Sequence, residues 1–417
     1  MILYIKSEVT TMSTFKLYGD GINDDYPAIQ ELLDSGASLV YLPMPEVCYS
    51  ISKTLRIHSN QEFRLDRFTV IKLMDDSNCL MMTNANPEEW DSNICVSGGI
   101  WDMNHNKQWQ NPYHFPNPIT GLTSPQVREL AKYDPTKRLF LDTYCGHCFR
   151  FNSIRNFIFR NLTIRNPVVY GAQFAFIKQF TVEDIIFDYT EGSPKLWNLD
   201  GVHFEGGCKK GVIRNLKGTC HDDLVAITSD DDVHGPVENI TVDGIYSDNC
   251  HSAVRMLSVK TPIKNIHISN IYGTFYVYCI IFSKYWGTAE DRGCFENIVI
   301  DNVYASLCKG TVDVPGNYEP LIAIKNDLIF NNLVISNLYR DETVCATPTI
   351  GIGENTYINE LSINHSQQRN FTDKPITYLQ NNGKIDNLNL CRIDSGSDEL
   401  IAGNGEVILK NEGRQEV

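Results

Sequence analysis

The sequence contains no apolar run approaching the ~20 residues that cross a bilayer, so no membrane-spanning helix is expected. Positive charge is also in short supply. Lys and Arg number 36 against 51 Asp and Glu, for a net charge of −15. Nucleic acid and anionic membranes both require a positive footprint, so neither is expected as a partner. A long polyanionic substrate is mildly disfavoured as well, although a local cluster of Arg and Lys can override the mean. The opening residues, Met1-Ile2-Leu3-Tyr4-Ile5-Lys6-Ser7-Glu8, lack the long apolar core and small-residue cleavage site of a signal peptide. The expectation is a cytoplasmic protein. Met12 offers an alternative start. The 13 cysteines are odd in number, which argues against a complete disulfide framework and suits a reduced setting. Cys145-Gly146-His147-Cys148 has CxxC spacing, but no second pair stands at zinc-site distance. Buried structural cysteine is the default there, and no metal or cofactor is expected.

What the chain does have is a repeat. Val237-Glu238-Asn239-Ile240-Thr241-Val242 returns as Ile263-Lys264-Asn265-Ile266-His267-Ile268 and as Phe295-Glu296-Asn297-Ile298-Val299-Ile300. Weaker copies follow at Phe330, Ile358 and Ile385, and others precede at Ile154 and Val182. The asparagines at 239, 265, 297 and 332 step by 26, 32 and 35 residues, and loops absorb the variation. Apolar and polar residues alternate within each unit, which reads as strand. Each unit carries a second apolar run, such as Gly201-Val202-His203-Phe204, Leu224-Val225-Ala226-Ile227 and Ala253-Val254-Arg255-Met256-Leu257. Two or three short strands per repeat predict an all-β, single-stranded right-handed parallel β-helix, with coils about 4.8 Å apart and inward side chains in ladders. The recurring Asn fits a turn residue that tolerates left-handed geometry. A β-propeller is the competing repeat fold, but no blade signature is present and the units are too small for blades. The expected divisions are an N-terminal extension (1–15), the β-helix (16–400) and a C-terminal tail (401–417).

Three carboxylates stand at the starts of two apolar runs: Asp200 in Asn198-Leu199-Asp200-Gly201, and Asp222 and Asp223 in His221-Asp222-Asp223-Leu224. Crowded carboxylates raise one another's pKa, and glycoside hydrolysis is the reaction that most needs a carboxylic acid facing a carboxylate. The plainer alternative is a set of loop aspartates that cap turns.

Two further stretches carry a resemblance. Lys16-Leu17-Tyr18-Gly19-Asp20-Gly21-Ile22-Asn23-Asp24-Asp25-Tyr26-Pro27-Ala28-Ile29-Gln30 resembles the opening of many β-helix carbohydrate-active proteins. The resemblance implies a cap with a short helix through Ala28 to Leu33, then a first core strand at Leu39-Val40-Tyr41-Leu42-Pro43. The motifs around Asp200 and Asp222-Asp223, 22 residues apart, resemble "NTDG" and "DDCxAI" of glycoside hydrolase family 28, the polygalacturonases and their relatives in the pectin lyase-like superfamily. Val254-Arg255-Met256-Leu257 matches that family's "RIK" motif by its arginine alone. Leu257 stands where the family has a lysine that helps bind a uronate carboxylate. The family's Gly-His-Gly motif has no counterpart, the nearest histidines being His234 and His251.

The resemblance implies that Asp222 is the general acid of an inverting hydrolase and that Asp200 and Asp223 activate water. It implies a sugar-binding or charge-stabilising part for Arg255, whose alternative is an ordinary surface arginine. His221 and His203 have two readings: they tune the carboxylates or hydrogen-bond sugar, or they are structural. Lys284 and Trp286, in Lys284-Tyr285-Trp286-Gly287, are candidates for sugar contact, and aromatics also simply cap a core. Trp109 and Tyr113 lie in a long irregular stretch, Met103 to Tyr133, that is expected to wall a cleft. The leading expectation is a glycoside hydrolase acting on an oligo- or polysaccharide, pectin-related or another plant glycan, with oligomeric state open. A β-helix polysaccharide lyase, for which the aspartates would hold calcium, is a second reading. A non-catalytic phage-type fibre or carbohydrate-binding protein is a third.

Overall fold

The computed structural model of the chain describes residues 14–189, 198–310, 318–396 and 400–412. Residues 1–13 of the expected extension and 413–417 of the expected tail lie outside these. The predicted all-β parallel β-helix is the fold found, with strands in two parallel sheets. The expected cap helix spans Tyr26–Asp34, with Pro27 in its first turn, where a missing N–H costs nothing. It buries Ala28, Ile29, Leu32 and Leu33, and the strand Leu39–Leu42 follows.

Contacts divide the chain into two compact units. The first comprises residues up to Phe204 together with Cys208–Gly211 and Cys220–Asp222. Its short strands Phe149–Asn152, Ala172–Ala175 and Val202–Phe204 pair in register, Arg150 with Gln173 and Gln173 with His203. Alternate residues of these strands point inward, and their rings stack: Phe151 on Phe174 at 6.1 Å, Phe174 on Phe204 at 5.0 Å. Between the strands Ile100–Asp102 and Phe149–Asn152 lies the long excursion that the sequence marks as irregular. It is less irregular than expected. Ser124–Leu130 is a helix, started by a capping box in which Thr123 and Gln126 bond each other's backbone.

The second unit comprises Glu205–Gly207, Val212–Thr219 and the chain from Asp223 onward. Its long strands Val237–Cys250, Ile263–Phe275, Gly293–Leu307, Leu328–Glu342, Tyr357–Asn370 and Lys384–Asp394 are in register, so Val242, Ile268, Ile300, Ile335, Ile363 and Leu390 form one buried ladder. The short strands give a second ladder, Val225, Val254, Ile280, Ile322, Ile350, Leu379 and Ile401. This ladder is the repeat's apolar period turned into a core, each coil buried only by its neighbours. Asn239, Asn265 and Asn297 take left-handed φ of 60°, 53° and 54°, and the amides of Asn265 and Asn297 each donate to the asparagine one coil back at 2.9 Å. The strands continue past 400, at Ile401–Ala402 and Glu406–Glu412, where a tail was expected. Among the described residues no helix is long and apolar enough to cross a membrane. Cys148 is fully buried and its sulfur lies 3.3 Å from that of Met81, the setting of a structural thiol.

Candidate functional site

In the first unit the site begins at a turn. Asn198 takes a left-handed φ of 58°, which asparagine tolerates, and Asp200 follows just before the strand Val202–Phe204. The Asp200 backbone carbonyl accepts from Gly171 N–H and from Tyr189 Oη, both at 2.9 Å. Gly171 must be glycine: a Cβ there would lie 2.4 Å from Tyr189 Oη and 2.6 Å from the Gly201 carbonyl. The second motif meets this turn. Asn198 N–H donates to Asp222 Oδ2 at 3.0 Å, and His221 N–H donates to the Leu199 carbonyl at 3.3 Å. Asp222 and His221 are both half-buried. The excursion supplies Asn111 and His114, whose side chains lie 3.4 and 3.0 Å from Asn198 Oδ1.

His203 is fully buried, with Nδ1 2.9 Å from Asp200 Oδ2. Tyr170 packs on its ring at 4.5 Å, His147 stacks on Tyr170 at 4.5 Å, and Tyr113 stacks on His147 at 6.4 Å. Its Nδ1 faces Asp200 and Tyr170 covers its ring, so of the two readings of His203 these contacts support the one in which it positions a carboxylate rather than the one in which it binds sugar. Trp109 instead packs edge-on against Tyr144 at 5.6 Å.

In the second unit, Asp223 opens the strand Asp223–Thr228 and is buried. Its Oδ1 accepts from Ser252 Oγ and Tyr278 Oη, each at 2.6 Å. Its Oδ2 lies 2.7 Å from Arg255 Nε, and Arg255 Nη2 is 3.7 Å from Asp231 Oδ2. Arg255 is thus no ordinary surface arginine: it is mostly buried between two carboxylates, where ionic charge requires a partner. His251 Nδ1 is 3.2 Å from Ser252 Oγ, which joins it to the same network. The buried Asp230 anchors the neighbouring loop, accepting Val259, Lys260 and Thr261 N–H at 2.9, 2.9 and 2.7 Å. Burial raises its pKa, but these donors and the Thr261 hydroxyl outweigh that and hold it below the usual carboxylate value.

Trp286 donates Nε1–H to the Asp230 carbonyl at 3.0 Å while 42% of the residue stays exposed, so it keeps ring surface for a ligand. Lys284 is different. Its ammonium donates to the Thr288 carbonyl at 2.8 Å and lies 3.8 Å from Asp327, and its side chain is only 7% exposed. It ties down its own loop, which corrects its assignment to sugar contact.

Asn111, His114, Tyr170, Tyr189, Ser252, Tyr278 and Asp231 escape a reading of motifs. For Ser252 the signal was present: Asp223 and Ser252 are register partners once the repeats are stacked. The others reach these groups from turns or the excursion, where no periodicity operates.

No family model matches the chain, and no curated protein matches it in sequence. Solved structures do. The family 28 exopolygalacturonase of Yersinia enterocolitica is 16% identical with a TM-score of 0.62, over 95% of this chain and 76% of that one. The exopolygalacturonase of Thermotoga maritima is 16% identical with a TM-score of 0.56, over 95% and 90%. An N-terminal fragment of bacteriophage phi29 gene product 12 is 14% identical with a TM-score of 0.63, over 95% and 70%. The chain shares the parallel β-helix fold of these proteins.

Proposed function

We propose that the protein is a glycoside hydrolase that cleaves an oligo- or polysaccharide with inversion, Asp222 acting as general acid and Asp200 and Asp223 serving the attacking water. The observation that carries this reading is the hydrogen bond from Asn198 N–H to Asp222 Oδ2, which seats the carboxylate of the second motif on the turn of the first. Inversion needs one carboxylic acid at the departing oxygen and a carboxylate for the water. Asp222, half-buried in a turn, suits the group that must exchange a proton at each turnover. Asp223, buried and charge-matched by Arg255, suits a group that stays fixed while water reacts.

The likeness in fold to exopolygalacturonases supports a pectin-related or other plant glycan as the substrate. Leu257 is buried and apolar, so it supplies no clamp for a uronate carboxylate, and a uronate is not required at the cleaved position. The exposed rings of Tyr285 and Trp286 offer stacking surface to a sugar face. The test is a panel of plant-glycan oligosaccharides assayed for new reducing ends in wild type and Asp222→Asn. Release that persists in chelator without an ultraviolet-absorbing unsaturated end supports hydrolysis and excludes a lyase. Binding of a glycan without any turnover would favour the non-catalytic reading, which the likeness to the phi29 fragment keeps in view.

A further inference from the structure

Positive charge collects at one corner of the first unit. Trp90 immediately precedes the strand Asp91–Ser97. Ser92 of that strand pairs with Arg155, and Arg155 pairs with Lys178, so three successive coils meet at this corner. The excursion adds Arg138. Arg155 Cζ, Lys178 Nζ and Arg138 Cζ lie 4.8, 4.5 and 5.0 Å from the centre of the Trp90 ring. Any two of these cations are therefore within about 10 Å, roughly one Debye length at 0.1 M salt. Lys209 sits one coil further on, its N–H donating to the Ile177 carbonyl. The Lys178 ammonium is pushed below the usual lysine value, first by desolvation and then by Arg155, Lys209 and Arg138.

Placement over an indole accounts for part of this. The ring offers a quadrupole, however, and not a countercharge. Elsewhere in the same unit a basic side chain has its acid, as Arg165 has Asp188 at 2.8 Å. Among the described residues Arg138, Arg155 and Lys178 form no ion pair with a carboxylate, and Arg138 Nη1 is buried without a hydrogen-bond partner. In a chain of net charge −15, three unmatched cations around one ring are costly unless something binds them.

We propose that Trp90, Arg138, Arg155 and Lys178 form a binding site for a tetrahedral dianion, a sulfate or phosphate group, free or carried as an ester on a saccharide. A single carboxylate leaves most of the cluster's charge unmatched, whereas a dianion offers several oxygens to two guanidinium forks and an ammonium. The site is separate from the carboxylates described above. Lys178 follows the C-terminal end of the short strand Ala172–Ala175, past the left-handed turn at Phe176, whereas Asp200 precedes the N-terminal end of Val202–Phe204.

Isothermal titration calorimetry on the full chain at low salt tests this with inorganic sulfate, inorganic phosphate, a hexose 6-phosphate and glucuronate. It reads binding alone, so its outcome does not depend on any hydrolysis. Both inorganic dianions are expected to bind saturably, one per chain, and to weaken as salt rises. Arg155→Gln and Lys178→Gln should each weaken binding about tenfold or more, the worth of one charged hydrogen bond. Arg155→Lys should retain most of it. Tighter binding of the hexose phosphate than of inorganic phosphate supports the ester as the source, and equal binding supports the free ion. Arg138→Gln changes only the excursion and reads the same loss should a coil variant fail to fold. Absence of saturable dianion binding, binding unchanged in Arg155→Gln/Lys178→Gln, or glucuronate binding as tightly as phosphate would overturn the proposal.

Discussion

Replacing the adjacent Asp222 and Asp223 by asparagine should separate stability from chemistry. Asn at 223 still offers an amide oxygen to Ser252 and Tyr278 but removes the charge 2.7 Å from Arg255 Nε. Breaking a buried ion pair by removing one partner costs about 3–5 kcal/mol. Arg255 retains Asp231 at 3.7 Å and some solvent contact, which brings the expected loss down to about 2–3 kcal/mol. Asn at 222 is another matter. The half-buried side chain keeps an oxygen for the Asn198 N–H, so its stability change should be the smaller of the two, about 1 kcal/mol. Urea unfolding followed by circular dichroism reads both. Adding Arg255→Met to Asp223→Asn removes the unmatched guanidinium and should recover about 1–2 kcal/mol. If Asp223→Asn unfolds at the wild-type urea concentration, or the double variant is weaker still, the charge balance drawn between Asp223 and Arg255 is wrong.

Asp222→Asn should lower turnover by roughly 10²- to 10⁴-fold on an unactivated substrate and be partly rescued by an aryl glycoside with a good leaving group, unlike Asp200→Asn or Asp223→Asn. Proton NMR of fresh product should show the inverted anomer; retention would contradict the assigned roles. Asp230 has a folded pKa below its ordinary 3.8, so its contribution is present above that value and lost as pH falls through the folded pKa. Asp230→Asn should therefore lower stability at neutral pH and flatten the acid limb below about pH 4, and an unchanged limb in urea titrations counts against this. Gly171→Ala should cost about 1–3 kcal/mol, because its Cβ would meet Tyr189 Oη and the Gly201 carbonyl; a wild-type unfolding midpoint would show that the turn before Asp200 yields easily.

The fold was legible because its cause is periodic. Alternation over Ile263-Lys264-Asn265-Ile266-His267-Ile268 dictates one buried face, and repetition dictates that the next coil covers it. The two aspartate motifs were legible as sequence, and so was the cap helix. What escaped is whatever depends on partners distant in sequence. His203 reads as a sugar ligand until Tyr170 is found on its ring, and Lys284 reads likewise until Asp327 is found beside its ammonium. The capping box at Thr123 and Gln126 was visible in the letters, but apolar spacing around it is too weak to announce a helix.

Under the roles proposed for them, Asp222 and Asp223 differ in how the solenoid holds each one. Asp223 is the first residue of a strand, so register places Ser252 beside it and its side chain is fixed by the ladder itself. Asp222 is the last residue before that ladder begins, where a backbone donor from a turn holds its carboxylate. A residue set by register can be buried, charge-matched and immobile, which suits a carboxylate that serves water. A residue set by a turn keeps partial exposure and a choice of protonation state, which suits a proton donor. The boundary between turn and strand falls between two identical amino acids, and the proposed division of their chemistry follows that boundary, which the letters alone do not mark.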